Sequence, residues 1–208
     1  MNYIGVDENN LSPSIAGPVV VTALFPKKEV AGVTDSKLLS HAQRLSLLGP
    51  LQDNSIYSMS LGTLPMIALV GVQRSRNIAI VQCLTGLIET LGYPEVSNCT
   101  ILLDGSWSKK QLEYFRRALS LDNIVPGKDE EDYAVAAASI VGKVYIDSMF
   151  RGFGDFYKIY GANFNKGGVS SEHRDALREH GPSAFHRPRN YGAKWWHSIL
   201  GGTEFDQS

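Results

Sequence analysis

Cys99-Thr100-Ile101-Leu102-Leu103-Asp104-Gly105 joins an apolar run of strand length to an acid and a glycine. A short, uninterrupted apolar run bounded by a turn signal suits a strand buried on both faces. Before it, Pro65 to Leu91 is largely apolar, with Ile78, Val81, Leu84, Leu87, Ile88 and Leu91 at helical spacing. The spacing predicts a long helix covering one sheet face, broken near Gly71 and ended by Gly92-Tyr93-Pro94. After it, Ser108 to Leu119 predicts another helix, then Leu121 to Val125 a short strand.

The same alternation runs through the rest of the chain. Tyr3 to Val6, Pro18 to Phe25 and Ser55 to Leu61 read as strands. Ser40 is placed to cap a helix reaching Leu48, where Gly49-Pro50 is expected to stop it. Tyr133 to Met149 and Ser171 to His180 read as helices. Strands followed by helices predict an α/β fold, a central mixed sheet flanked by helices, with a helical C-terminal part. Residues 1–150 are expected to form the core and 151–208 an extension, in one compact unit.

The chain has 208 residues, 43% hydrophobic and 20% charged, with a net charge of −1. That describes an ordinary globular protein and excludes a low-complexity or strongly basic chain. Charge is unevenly distributed. Asp129, Glu130, Glu131 and Asp132 form an acidic block, whereas Arg174, Arg178, His180, His186, Arg187, Arg189 and Lys194 make a basic stretch. Such a stretch fits either a phosphate-binding face or a solvated helix and tail. Cys83 and Cys99 lack metal-ligand spacing and read as buried free thiols. No signal peptide or membrane-spanning run is apparent, so a cytoplasmic protein is expected.

Four acids carry the candidate chemistry: Asp7, Glu8, Asp104 and Asp147. Asp7 and Glu8 are adjacent, so a regular strand points them to opposite faces. They share a site only if the strand ends or bends there; otherwise they form a solvated turn. Asp104 stands at the carboxyl end of a buried strand, where sheet-based enzymes place reactive groups, although an Asp also opens turns. Ser139, Lys143 and Asp147 share one helix face, and Ala136, Ala137, Ala138 and Gly142 add little bulk. That helix can approach a sheet closely; a surface Lys143–Asp147 pair is the plainer alternative. Converging carboxylates would repel unless cations or protons neutralised them, and an all-oxygen set suits Mg²⁺ or Mn²⁺.

These residues also resemble the ribonuclease HII family. Ile4-Gly5-Val6-Asp7-Glu8 is similar to its opening strand and Ala16-Gly17-Pro18-Val19-Val20 to its next segment. Asp35-Ser36-Lys37-Leu38-Leu39-Ser40, Leu103-Asp104-Gly105 and Ala137 to Val144 with Asp147 resemble three further elements. Gly181-Pro182-Ser183-Ala184-Phe185-His186-Arg187 resembles the last. The resemblance implies a ribonuclease H-like fold in which Asp7, Glu8, Asp104 and Asp147 bind two metal ions. It implies an endonuclease acting on RNA–DNA hybrids and on DNA containing single ribonucleotides. On this reading Asp104→Asn and Asp147→Asn each abolish cleavage and leave the fold intact.

Two departures bear on the substrate. The family's Gly-Arg-Gly after the paired acids is replaced by Asn9-Asn10-Leu11-Ser12-Pro13, and its Lys-Gly-Tyr-Gly by Lys166-Gly167-Gly168-Val169. Both family elements read the ribonucleotide, whose 2′-hydroxyl separates RNA from DNA. Asn9, Asn10 and Ser12 are candidates to replace those contacts. Lys37, Lys143 and Lys166, with Ser139 and Arg187 of the matched motifs, are candidate nucleic-acid contacts. Two rival readings remain: a structure-selective nuclease acting on branched DNA, and a non-catalytic nucleic-acid-binding relative.

Overall fold

The computed structural model describes residues 2–11, 15–127, 132–153, 158–161, 168 and 170–187. β1 (Tyr3–Asn9), β2 (Val19–Pro26) and β3 (Ser55–Gly62) form an antiparallel meander. β4 (Thr100–Leu103) joins the other side of β1 in parallel, and β5 (Ile124–Pro126) adds to β4, also in parallel. The sheet order is β3-β2-β1-β4-β5, so β1 is central.

Seven α-helices are found among the described residues: α1 (His41–Asn54), α2 (Leu64–Val70), α3 (Val72–Leu91), α4 (Tyr93–Ser97), α5 (Lys109–Leu119), α6 (Tyr133–Gly152) and α7 (Ser171–His180). One sheet face, with Ile4, Val6, Val21, Ile101 and Leu103, packs on Ile80, Cys83, Leu84 and Leu87 of α3 and Phe115 of α5. On the other face Leu24 packs with Ala137, Ala138, Ile140 and Val141 of α6 and Leu51 of α1. The expected mixed sheet between helices is therefore present.

Gly5 explains how α6 comes so near β1. A Cβ at that position would lie 2.1 Å from the Ala134 carbonyl carbon, a distance no side chain can occupy. Gly142 does the same from the helix side, where a Cβ would meet Asn9 Nδ2 at 2.6 Å and Thr22 Oγ1 at 2.8 Å. Small residues on both partners thus bring the polar end of β1 under the middle of α6.

Several local expectations need correction. α1 does not stop at Gly49-Pro50 but runs on to Asn54 with Pro50 inside. The continuation seats Leu51, 1% exposed, in the core, and Asn54 closes the end by donating to the Pro50 carbonyl at 2.9 Å. Tertiary burial outweighs the roughly 3 kcal/mol that an internal proline costs a helix. In α3 the buried face is Ser75, Arg76, Ala79, Ile80, Cys83, Leu84 and Leu87, whereas Ile78, Val81, Ile88 and Leu91 are half-buried. Small residues turn the helix: a Cβ at Gly62 would meet Ser75 Oγ at 2.6 Å, and one at Gly86 would meet Ser58 Oγ at 2.6 Å. The break at Gly71 occurs where expected, at φ +81°. Both cysteines are buried free thiols. No helix among the described residues is long and apolar enough to cross a membrane. The described C-terminal elements pack on the core through Tyr160, Ala176 and Leu177 against Ile15, Val20, Ile146 and Phe150.

Candidate functional site

Register, more than sequence distance, assembles the acids. β1 and β4 pair in parallel with Val6 opposite Leu103, and both side chains enter the α3-side core. The next residues, Asp7 and Asp104, therefore stand side by side toward α6, about 4.8 Å apart across the strands. The Asp104 amide continues the ladder, donating to the Val6 carbonyl at 2.9 Å. Asn9, two residues along on the same face, donates from Nδ2 to Asp7 Oδ2 at 2.7 Å. Burial, then the charges of Glu8 and Asp104, push the Asp7 carboxyl up to about 8.

Glu8 faces the other way, as strand alternation requires, because β1 continues to Asn9. Its Oε1 lies 3.5 Å from Nη1 of Arg76 on α3. Burial lifts the Glu8 carboxyl to about 7; Arg76 opposes the rise and Asp104 adds to it. Glu8 and Asp104 feel one another because β4 ends at Leu103, leaving that side of β1 open beyond Val6. Sequence reading passed over Arg76. It lies in the polar run Gln73 to Asn77, off the apolar stripe of the helix, so local pattern gives no sign of its burial.

Asp7, Asp104, Gly105, Ser106 and Gly127 form one wall of a cleft of about 340 Å³, with Asp35, Ser36, Lys37, Val135, Ala136 and Ser139 around it. Ser139 lies within hydrogen-bonding reach of Asp7 and 2.9 Å from Ser36, Oγ to Oγ. Among the described residues no three His, Cys, Asp or Glu side chains already surround a single point closely enough to hold an ion. Asp7 and Asp104 do fit a divalent cation chemically. They are two hard oxygen donors side by side on adjacent strands, and burial with the charges of Glu8 and Asp104 already raises the Asp7 carboxyl, a strain that a cation would relieve. Asp129, Glu130 and Glu131 fall outside the described residues, in the stretch joining Gly127 to Asp132, the N-cap of α6.

Asp147 is not part of this cleft. It shares a helix face with Ser139 but sits two turns further along, about 12 Å by helix rise. Its side chain is fully buried, with Oδ2 accepting from Arg44 Nη2 at 3.0 Å and 3.3 Å from His41 Nδ1. Arg44 Nη1 in turn donates to the carbonyls of Ser36, at 2.8 Å, and Leu39. Asp147 thus secures the loop that carries Ser36 and Lys37 along the cleft; it does not face the cleft itself.

Arg187 is also displaced from its expected role. It is 2% exposed, and its guanidinium donates to the carbonyls of Gly17 at 2.6 Å, Leu11 at 3.1 Å and Asn10 at 2.8 Å. A guanidinium enclosed by backbone oxygens is a clamp on the β1–β2 connection, not a phosphate contact. Asn10 belongs to the same clamp: at φ +65° its Nδ2 donates to the Ala16 and Pro18 carbonyls at 2.9 and 2.8 Å. Lys143 is half-buried one turn beyond Ser139, outside the cleft lining. Ser12 and Lys166 lie outside the described residues, as do Trp195, Trp196 and His197.

His173 and His186 make a buried pair, Nε2 to Nε2 at 2.9 Å. The backbone amide of Ser183 donates to His186 Nδ1 at 2.9 Å, and His173 Nδ1 lies 2.7 Å from the Gly168 carbonyl. Only one arrangement of protons satisfies all three: His186 carries its proton on Nε2 and donates to His173, which donates from Nδ1. Both rings are then neutral, and burial lowers both pKa values, His186 to about 4. The native state binds fewer protons than the unfolded chain between about 6.5 and 4, so the pair's contribution is complete above 6.5 and lost on acidification. The loss at His186 is on the order of 3 kcal/mol. Urea melts at pH 7.5 and 4.5 should differ more for the wild type than for His186→Gln. Equal differences would remove the pair from the acid response.

A family model described as Ribonuclease HII matches residues 4–191. A protein named Ribonuclease HII from Clostridium botulinum (strain ATCC 19397 / Type A) is 32% identical over 197 residues, covering 89% of this chain and 67% of that protein. The fold is similar to the structure of the PCNA:RNase HII complex from Archaeoglobus fulgidus, with TM-score 0.69, 20% identity and coverage of 99% and 98% of the two chains. It is similar also to Bst-RNase HIII in complex with Mn²⁺, with TM-score 0.69, 18% identity and coverage of 95% and 70%.

Proposed function

Because this chain belongs to the ribonuclease HII family of nucleases, we propose that it is a divalent-cation-dependent endonuclease hydrolysing RNA in RNA–DNA hybrids. The observation that carries this is the Asp7–Asp104 pair at the open end of the central strands, in a cleft edged by Lys37. A buried carboxylate with a half-buried one beside it gains nothing by binding a polyanion directly, which disfavours a purely binding role. Bound there, Mg²⁺ or Mn²⁺ supplies an activated water and charge stabilisation at the scissile phosphate. The Mn²⁺ complex of a protein with a similar fold supports the use of a divalent cation.

The chain's own groups have separable tasks. Asp7 and Asp104 supply the oxygen ligands, and Glu8 adds negative charge from the opposite sheet face. Asn9 orients Asp7 by a hydrogen bond, and Ser139 lines the cleft beside it. Ser36 and Lys37 border the cleft where a backbone phosphate would lie, and a lysine there offsets its charge. Asn10 and Arg187 are engaged with backbone carbonyls of the β1–β2 connection, so RNA selection is assigned to other residues.

Matched duplexes test the reading: a hybrid, DNA with one ribonucleotide, all-DNA and a four-way junction, each with Mg²⁺, Mn²⁺ or chelator. Cleavage of the hybrid, abolished by chelator and leaving 3′-hydroxyl and 5′-phosphate ends, is expected. Equal cutting of the all-DNA duplex would end the ribonuclease reading, and preferential cutting of the junction would move the enzyme to the branched-DNA class.

A further inference from the structure

Arg76 is a buried cation built into the acidic end of the sheet. It is 8% exposed on α3, and its guanidinium carbon lies 4.2 Å from the centre of the Trp107 ring. Nε and Nη2 donate to Asn77 Oδ1 at 3.2 and 3.1 Å, leaving Nη1 directed at Glu8. Trp107 is itself fixed, its Nε1 donating to the Asp104 carbonyl at 2.7 Å and its ring set edge-on to the fully buried Phe115 at 5.3 Å. The series Phe115, Trp107, Arg76, Glu8 therefore runs from core to acid, and Trp107 ties it to the strand end that carries Asp104.

We propose that Arg76 is a built-in counter-cation, a positioning residue that holds Glu8 charge-compensated. One divalent cation then binds tightly between Asp7 and Asp104, and Glu8 does not act as an equal ligand. This rests on the cation site proposed above. Two features support it: Glu8 and the Asp7–Asp104 pair lie on opposite faces of β1, and the guanidinium is held from three sides on the Glu8 face. A fixed positive charge so near the cluster also opposes a second cation on that face.

Calorimetric titration of the full, chelator-treated chain with Mn²⁺ tests this. Arg76→Met should tighten Mn²⁺ binding about tenfold, and Arg76→Lys, which keeps the charge, should stay within about threefold of wild type. Glu8→Gln should matter little in the wild type but weaken binding about tenfold once Arg76 is Met. Asp104→Asn should abolish binding in either background. The proposal is overturned if Glu8→Gln is as damaging as Asp104→Asn in the wild type, or if the Met and Lys variants behave alike. Undiminished binding by Asp104→Asn would instead remove the cation site and this inference with it. Should Arg76→Met fail to fold, the Glu8→Gln and Asp104→Asn contrast in the wild type decides alone.

Discussion

Asp104→Asn is expected to abolish cleavage while leaving the cation-free protein at least as stable as the wild type. The two halves have one cause. On the proposed function Asp104 supplies a ligand oxygen, and a catalytic cation contributes several kcal/mol of charge stabilisation, so losing it costs about a thousand-fold in rate or more. Without a cation the same carboxylate is a burden, since its charge helps push Asp7 up to about 8. A group whose folded pKa lies above its unfolded value is stabilising only at low pH, and that contribution is lost as pH rises toward the folded value. Neutralising Asp104 lessens the loss at Asp7 near neutrality. Thermal melts in chelator and single-turnover rates on a hybrid check both halves. A variant that unfolds would show Asp104 to be structural, and one with full turnover would remove it from the chemistry. The same rate assay on Asp129→Asn, Glu130→Gln and Glu131→Gln finds any further acid the reaction needs.

Asp147→Asn should do the reverse. Its carboxylate faces the buried Arg44, 5% exposed, and breaking a buried pair by removing one partner costs roughly 3–5 kcal/mol. For a chain of this size that lowers the melting midpoint by about 10 °C. Mn²⁺ affinity at Asp7 and Asp104 should be retained below the melt, because Asp147 lies outside the cleft. Cleavage should fall less than for Asp104→Asn, through loosening of the loop that Arg44 holds by the Ser36 and Leu39 carbonyls. Unchanged stability with lost Mn²⁺ binding would restore Asp147 to the cation site.

The contrast between these two acids marks how far the sequence could be read. Asp104 was legible as the acid closing a buried strand, and the parallel register places it beside Asp7. Asp147 was misplaced because a shared helix face says nothing of distance along the axis. Ser139 and Asp147 point alike yet serve different neighbours. Arg187 looked like a surface cation because its acceptors, Asn10, Leu11 and Gly17, lie at the far end of the chain. Arg76 was invisible for the opposite reason: the apolar spacing of α3 suggested a face rotated from the one that small residues at Gly62 and Gly86 impose. Strand existence and type needed only local pattern. Helix phase and charge partnership needed the tertiary neighbours.

The placement of β1 between β2 and β4 also sets an order of assembly. Its β2 side closes within the first part of the chain, across the short connection 10–18. Its β4 side waits for a segment synthesised nearly a hundred residues later, and such distant pairings form slowly. A nascent chain that stops short of Cys99 therefore holds Asp7 without its companion. On the cation site proposed above, capture of an ion is then reserved for the finished sheet.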